Sequence, residues 1–135
     1  MKLRFISIAA PIVWAAFVFV LHVVPIELDD DSSLRVPHAD KLVHFAMFAG
    51  LSFLLIRLFQ VRTNGAITTK NIVVVVMACA CYGGLLEFIQ SLTPSKRDSD
   101  SMDWCADLVG VAAGTFVAWK EWFALIFLHQ IRKTK

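Results

Sequence analysis

This sequence has little charge: Asp, Glu, Lys and Arg make up 18% of it, and 13 basic residues against 11 acidic leave a formal net charge of +2. A balance so near neutral provides no basic surface of the kind that grips a phosphate backbone, so no nucleic-acid partner is expected. Cysteine is sparse too. Its count of three is odd, and Cys79 and Cys81 stand two apart on an expected helix, where side chains diverge. That pattern argues against a disulfide framework and is poor zinc spacing, so Cys79, Cys81 and Cys105 read as small apolar filler. There is no HExxH zinc motif and no nucleophile motif.

What fills the sequence is apolar. Hydrophobic residues make up 58% and mean hydropathy is +0.67, whereas water-soluble domains use about 45–50%. The excess calls for a lipid-like solvent, and the length of 135 residues fits a single domain over 1–135. Residues 5–24 carry no formal charge and match the ~20 residues needed to cross ~30 Å of hydrocarbon. The run is long for a signal peptide, and His22, Val23, Val24 and Pro25 offer no small-residue cleavage site. It reads as a first transmembrane helix, in which Pro11 is tolerable because a neighbouring helix can satisfy the freed carbonyl.

The polar stretch 27–41, with Asp29, Asp30, Asp31 and Pro37, reads as a loop. A second span follows over 42–61, with His44 near its start and Arg57 placed to snorkel at its end; a re-entrant hairpin is the alternative. After a turn at 62–70, a third span covers 71–92 and contains Glu87. A fourth runs from Trp104 to about Trp122, with Lys120 and Glu121 in an interfacial belt, although the apolar residues 123–128 leave its end unplaced. The expected fold class is therefore all-α, an integral-membrane four-helix transmembrane bundle. Eight lysines and arginines on one side (Lys2, Arg4, Arg57, Arg62, Lys70, Arg132, Lys133, Lys135) against four on the other (Arg35, Lys41, Lys96, Arg97) predict both termini in the cytoplasm.

Four even crossings gather the polar intramembrane residues at the outer surface. His44 opens the second helix, Glu87 and Gln90 close the third, and Asp103 and Asp107 open the fourth; nothing comparable is expected at the inner ends. At 100° per residue, Gly83, Glu87 and Gln90 share one narrow face, as do Asp103, Asp107, Gly110 and Gly114. Gly110 and Gly114 predict a close helix seam, with the third helix at Gly83 and Gly84 as the expected partner. Asp40, one turn before His44, either orients the imidazole or is solvated at a helix start. Arg97 and His44 are candidate partners for the carboxylates, and a network that merely locks the bundle is the alternative to a functional site.

These residues resemble a family. Asp40, Lys41, Leu42, Val43, His44, Phe45 is similar to the D-K-x-x-H-F opening of VanZ-like membrane proteins, and Tyr82 to Gln90 is similar to their Y-G-x-x-x-E-x-x-Q segment. Pro94, Arg97, Asp98 and Asp103, followed by Gly110 and Gly114, resemble a third block, P-x-x-R-D with D-x-x-x-N and glycines. The departure is Asp107, where the family pattern more often has asparagine, so a role needing a neutral amide is not carried over. The resemblance covers about 36–118, with three blocks in order. It implies a small multi-pass membrane protein, linked through the family's namesake to low-level resistance to teicoplanin, a lipidated glycopeptide.

Three functions follow. The first is a non-catalytic protein whose outer pocket binds an amphiphile of the cell envelope, a lipid-linked glycan or a lipoglycopeptide tail, with Lys96 and Arg97 taking a phosphate and acidic side chains taking hydroxyls. The ligand-binding candidates are Asp40, His44, Glu87, Gln90, Arg97, Asp98, Asp103 and Asp107, and membrane lipids are the expected surroundings. The second is a membrane-embedded enzyme acting on a lipid or envelope polymer. Here His44 is a base and the carboxylates do acid–base work or hold a divalent cation; no other cofactor is implied. The third, an ion-coupled transporter, is opposed by size, since four helices leave no room for an inverted repeat.

Overall fold

The computed structural model describes residues 2–23, 39–92 and 101–133, with only the backbone described at 2–5, 101 and 122–133. The described residues form four helices: α1 Lys2–Val23, α2 Ala39–Arg62, α3 Thr69–Leu92 and α4 Ser101–Lys133. Three are long and apolar enough to cross a membrane, namely α1 over Ile6–Val23, α2 and α3. The all-α bundle expected from the hydropathy pattern is therefore present. α2 is one unbroken helix of 24 residues, which removes the re-entrant alternative. The loop at 27–38 and the segment 93–100 lie outside the described residues.

Local chemistry sets the α2–α3 turn. Asn64 and Gly65 take positive φ of 49° and 92°. The Gly65 amide then reaches back to the Gln60 carbonyl at 2.7 Å, the six-to-one bond that closes a helix end when a left-handed residue follows it. Three residues on, Thr68 caps α3: its hydroxyl accepts from the Asn71 amide at 3.3 Å, while Asn71 Oδ1 accepts from the Thr68 amide at 3.1 Å. This is a reciprocal capping box with asparagine in place of glutamate or glutamine.

α2 is the central element, packing against α1, α3 and α4, while the backbones of α1 and α4 stay more than 8 Å apart at their Cα atoms among the described residues and approach each other through His22 and Asp107. Its buried stripe runs His44, Met47, Phe48, Leu51, Ser52, Ile56 and Gln60. The glycine seam departs from expectation. A Cβ at Gly110 would run into the Phe45 carbonyl, and one at Gly114 into the Ala49 carbonyl and Ser52 hydroxyl, so both glycines press on the backbone of α2, not on α3. The 100° periodicity identifies the contacting face correctly but cannot say which neighbour covers it. Gly83 and Gly84 instead meet α4 side chains, Asp107 and Trp104.

Hydrogen bonds between helices supply the remaining specificity. Trp14 Nε1 donates to the Met47 carbonyl at 2.9 Å, and Tyr82 hydroxyl to the Ala15 carbonyl at 2.7 Å. Gly50 makes room for the Trp14 ring, which a Cβ there would meet at 2.8 Å. Ile12, Val13, Phe17, Val73, Met77, Phe88 and Phe116 are exposed on the outside, an apolar surface matched to lipid. Cys79 packs in the core, whereas Cys81 and Cys105 are exposed thiols.

Candidate functional site

Alternating helix directions bring the last turn of α1, the first turns of α2, the last turns of α3 and the first turns of α4 to one end of the bundle. That end contains His22, Lys41, His44, Glu87, Gln90, Asp103 and Asp107. All but Lys41 are buried. α2 starts at Ala39, before the expected 42, which adds Asp40 and Lys41 to the helix and sets Lys41 one turn from His44.

Lys41 Nζ binds Asp103 Oδ1 at 2.9 Å, and Asp103 Oδ2 faces His44 Nε2 at 3.9 Å. The other imidazole nitrogen, His44 Nδ1, donates to Asp107 Oδ1 at 3.1 Å. An ionised carboxylate only accepts, so this bond places a proton on Nδ1, and in the neutral ring the lone pair is then on Nε2. His22 follows the same rule: Nδ1 donates to the Val18 carbonyl at 2.8 Å, and its ring meets His44 edge-on, 4.7 Å between centroids. Gln90 Nε2 donates to the His22 carbonyl at 3.1 Å, tying the end of α3 to the end of α1. Glu87 comes within 4.8 Å of His44 and Asp103, measured between potential ligand atoms.

Glycine makes the arrangement possible. A Cβ at Gly83 would lie 2.9 Å from Asp107 Oδ2 and 3.3 Å from the Phe48 ring. The bare backbone there leaves room for the carboxylate between α3 and α4. Asp107 is 2% exposed, and its Oδ2 accepts no hydrogen bond among the described residues. The α4 dipole adds to the balance, because Asp103 sits in the first turn of that helix, the favourable terminus for a carboxylate.

Of the residues singled out in the sequence, His44, Glu87, Gln90, Asp103 and Asp107 come together in this way. Asp40 stands at the exposed edge, where it pairs with Lys41 at 3.6 Å. Arg97, Asp98 and Lys96 lie outside the described residues. Two members of the cluster are not among the residues that the sequence singles out. The even crossings place the end of α1, and with it His22, beside the other three helices, and Lys41 reaches Asp103 across 62 residues of sequence.

The opposite end differs. Gln60 is buried there and donates to the Ala118 carbonyl at 3.1 Å, while Arg57 donates to Gln60 Oε1 at 3.1 Å. No cluster comparable to that around His44 is present at this end among the described residues: Gln60 is a neutral amide, and no ionisable side chain is buried beside it. Gln60 faces α4, a neighbour that the sequence does not identify.

Fold and site together define a small helical membrane protein with ionisable side chains from all four helices buried at one end. Within that class the chain belongs to the VanZ/LLP1 family, whose model matches residues 5–128. The match takes in α1 and His22 as well as the three blocks at 36–118. Comparison with curated proteins and with solved structures finds no match.

Proposed function

We propose that the His44 end of the bundle is an outward-facing pocket in the cytoplasmic membrane that holds the polar head of an amphiphilic cell-envelope component, a lipid-linked glycan or a lipoglycopeptide tail. This function would connect the protein to teicoplanin-type resistance in bacteria. The observation that carries it is the convergence of His22, His44, Glu87, Asp103 and Asp107, all buried, from four different helices. A carboxylate in a membrane helix costs about 2.5–3.5 kcal/mol near the helix centre, and a fold that keeps several uses them on a partner or on water.

An apolar groove of about 390 Å³ supports the amphiphile. It opens between α1, α2 and α3 along Ile8, Pro11, Ile12, Leu51, Leu55 and Tyr82. Phe48 stands between the groove and the cluster, its ring 6.1 Å from that of Tyr82 and 6.3 Å from that of His22. An acyl chain in the groove would thus run toward the polar end.

The His44–Asp107 pair favours one second reading, an enzyme acting on the same amphiphile. A carboxylate that fixes the imidazole tautomer leaves Nε2 free to take a proton from a bound hydroxyl or water. A transporter is not supported by the helices themselves: no Asp, Glu, His, Lys or Arg occurs over 45–56 of α2, 71–86 of α3 or 108–119 of α4.

Native mass spectrometry of gently extracted protein tests the pocket. Wild type should carry an envelope lipid or glycolipid that Glu87→Gln loses, and identical adducts on both would remove the pocket. Impermeant thiol labelling should modify Ser33→Cys in intact cells and spare Gly65→Cys; the reverse pattern would invert the orientation.

A further inference from the structure

The geometry points to a divalent transition-metal site of the zinc class in this pocket, with His44 Nε2, Asp103 Oδ2 and the Glu87 carboxylate as ligands and Asp107 as the residue that positions His44. The inference rests on the reading of this end as a ligand pocket and names what would hold the ligand there. Three observations carry it.

The first is distance. Zinc binds imidazole nitrogen and carboxylate oxygen at about 2.0–2.2 Å, so two ligands on one ion lie roughly 3–4.3 Å apart. His44 Nε2 and Asp103 Oδ2 are 3.9 Å apart. The ligand atoms of His44, Glu87 and Asp103 all lie within 4.8 Å of one another. That set draws one residue from each of α2, α3 and α4.

The second is orientation. Ligating imidazoles commonly give their other N–H to a carboxylate, which fixes the ring and raises its basicity. Asp107 does this to His44 Nδ1 at 3.1 Å, turning Nε2 toward Asp103. Asp107 Oδ2 is buried and accepts no hydrogen bond among the described residues. A carboxylate needed only to lock helices would be expected to use both oxygens.

The third is donor type. Lys41 lies at the rim of the cluster, between Asp103 Oδ1 and Asp40. What is left to face an ion is one imidazole and two carboxylates, a donor set that suits a zinc-class dication. The imidazole selects against magnesium and calcium, which favour all-oxygen shells. Three protein ligands leave a coordination position open, where a phosphate or hydroxyl oxygen of an amphiphile could bind.

The test uses the full chain in detergent, stripped with a chelator and titrated with Co²⁺ as a spectroscopic stand-in for Zn²⁺. Wild type should bind one Co²⁺ per chain with visible d–d bands that Zn²⁺ displaces. Glu87→Gln, Asp103→Asn and His44→Gln should lose the bands while keeping wild-type melting and elution, whereas Asp40→Asn should keep them. Asp107→Asn should weaken binding roughly 10- to 100-fold, as loss of an outer partner does. Absence of a Co²⁺ spectrum in wild type, or a spectrum unchanged by Glu87→Gln and Asp103→Asn, would overturn the site. Metal and lipid are read separately. If wild type binds no metal yet retains an envelope lipid that Glu87→Gln loses, the metal fails and the pocket stands; if metal binding depends on Glu87 but lipid adducts do not, the pocket reading fails.

Discussion

The two ends of the bundle treat buried polarity in opposite ways. At the Gln60 end the buried polar side chains among the described residues are neutral, and the Gln60 amide bonds to Arg57 within its own helix and to one carbonyl of α4. At the His44 end five ionisable side chains from four helices are enclosed, and one oxygen of the most deeply buried carboxylate accepts no hydrogen bond among the described residues. Helix association in lipid needs no more than the first arrangement, since small-residue packing and a few hydrogen bonds suffice. The second exceeds that need, and the excess is what points to a ligand.

Variants can sharpen the contrast, beginning with the seam common to both ends. Gly114→Ala should cost about 1–3 kcal/mol through overpacking, because its Cβ meets backbone of α2 that cannot rotate away. A chemical-denaturation midpoint in mixed micelles reads this, and an unchanged midpoint would mean that α2 and α4 pack less closely than described. Gln60→Leu should cost less, about 1 kcal/mol for a net interhelical hydrogen bond, and should leave lipid adducts untouched. Loss of adducts without loss of stability would place function at the wrong end. Gly84→Ala should be nearly silent, since its nearest new neighbour, Trp104 Nε1, would stand at 3.7 Å, ordinary van der Waals distance. A large loss there would move the main seam back to α3.

The sequence made these ends legible to different degrees. Hydropathy placed the spans because each is a long, mainly apolar run with charges concentrated toward its ends. It could not end α4, since Lys120 and Glu121 look like a boundary, whereas the helix continues to Lys133. Helical periodicity put Glu87 with Gln90 and Asp103 with Asp107, and even crossings put them at one end with His44. Neither rule says which helices adjoin, so periodicity cannot tell that Gly110 and Gly114 press on α2 and not on α3. His22 is hard to read because a lone histidine in an apolar run has no periodic partner, and Lys41 because its partner lies 62 residues away.

The central claim is that the buried carboxylates serve a ligand and do not lock the bundle, and Glu87→Gln tests it most directly. Glutamine keeps the shape of glutamate and removes its charge, so the experiment should pair membrane abundance and melting temperature with teicoplanin susceptibility of cells that depend on the protein. The account predicts wild-type abundance and melting with complete loss of protection. A Glu87→Gln protein that is stable and still fully protective, or one that loses stability and protection together, would contradict it.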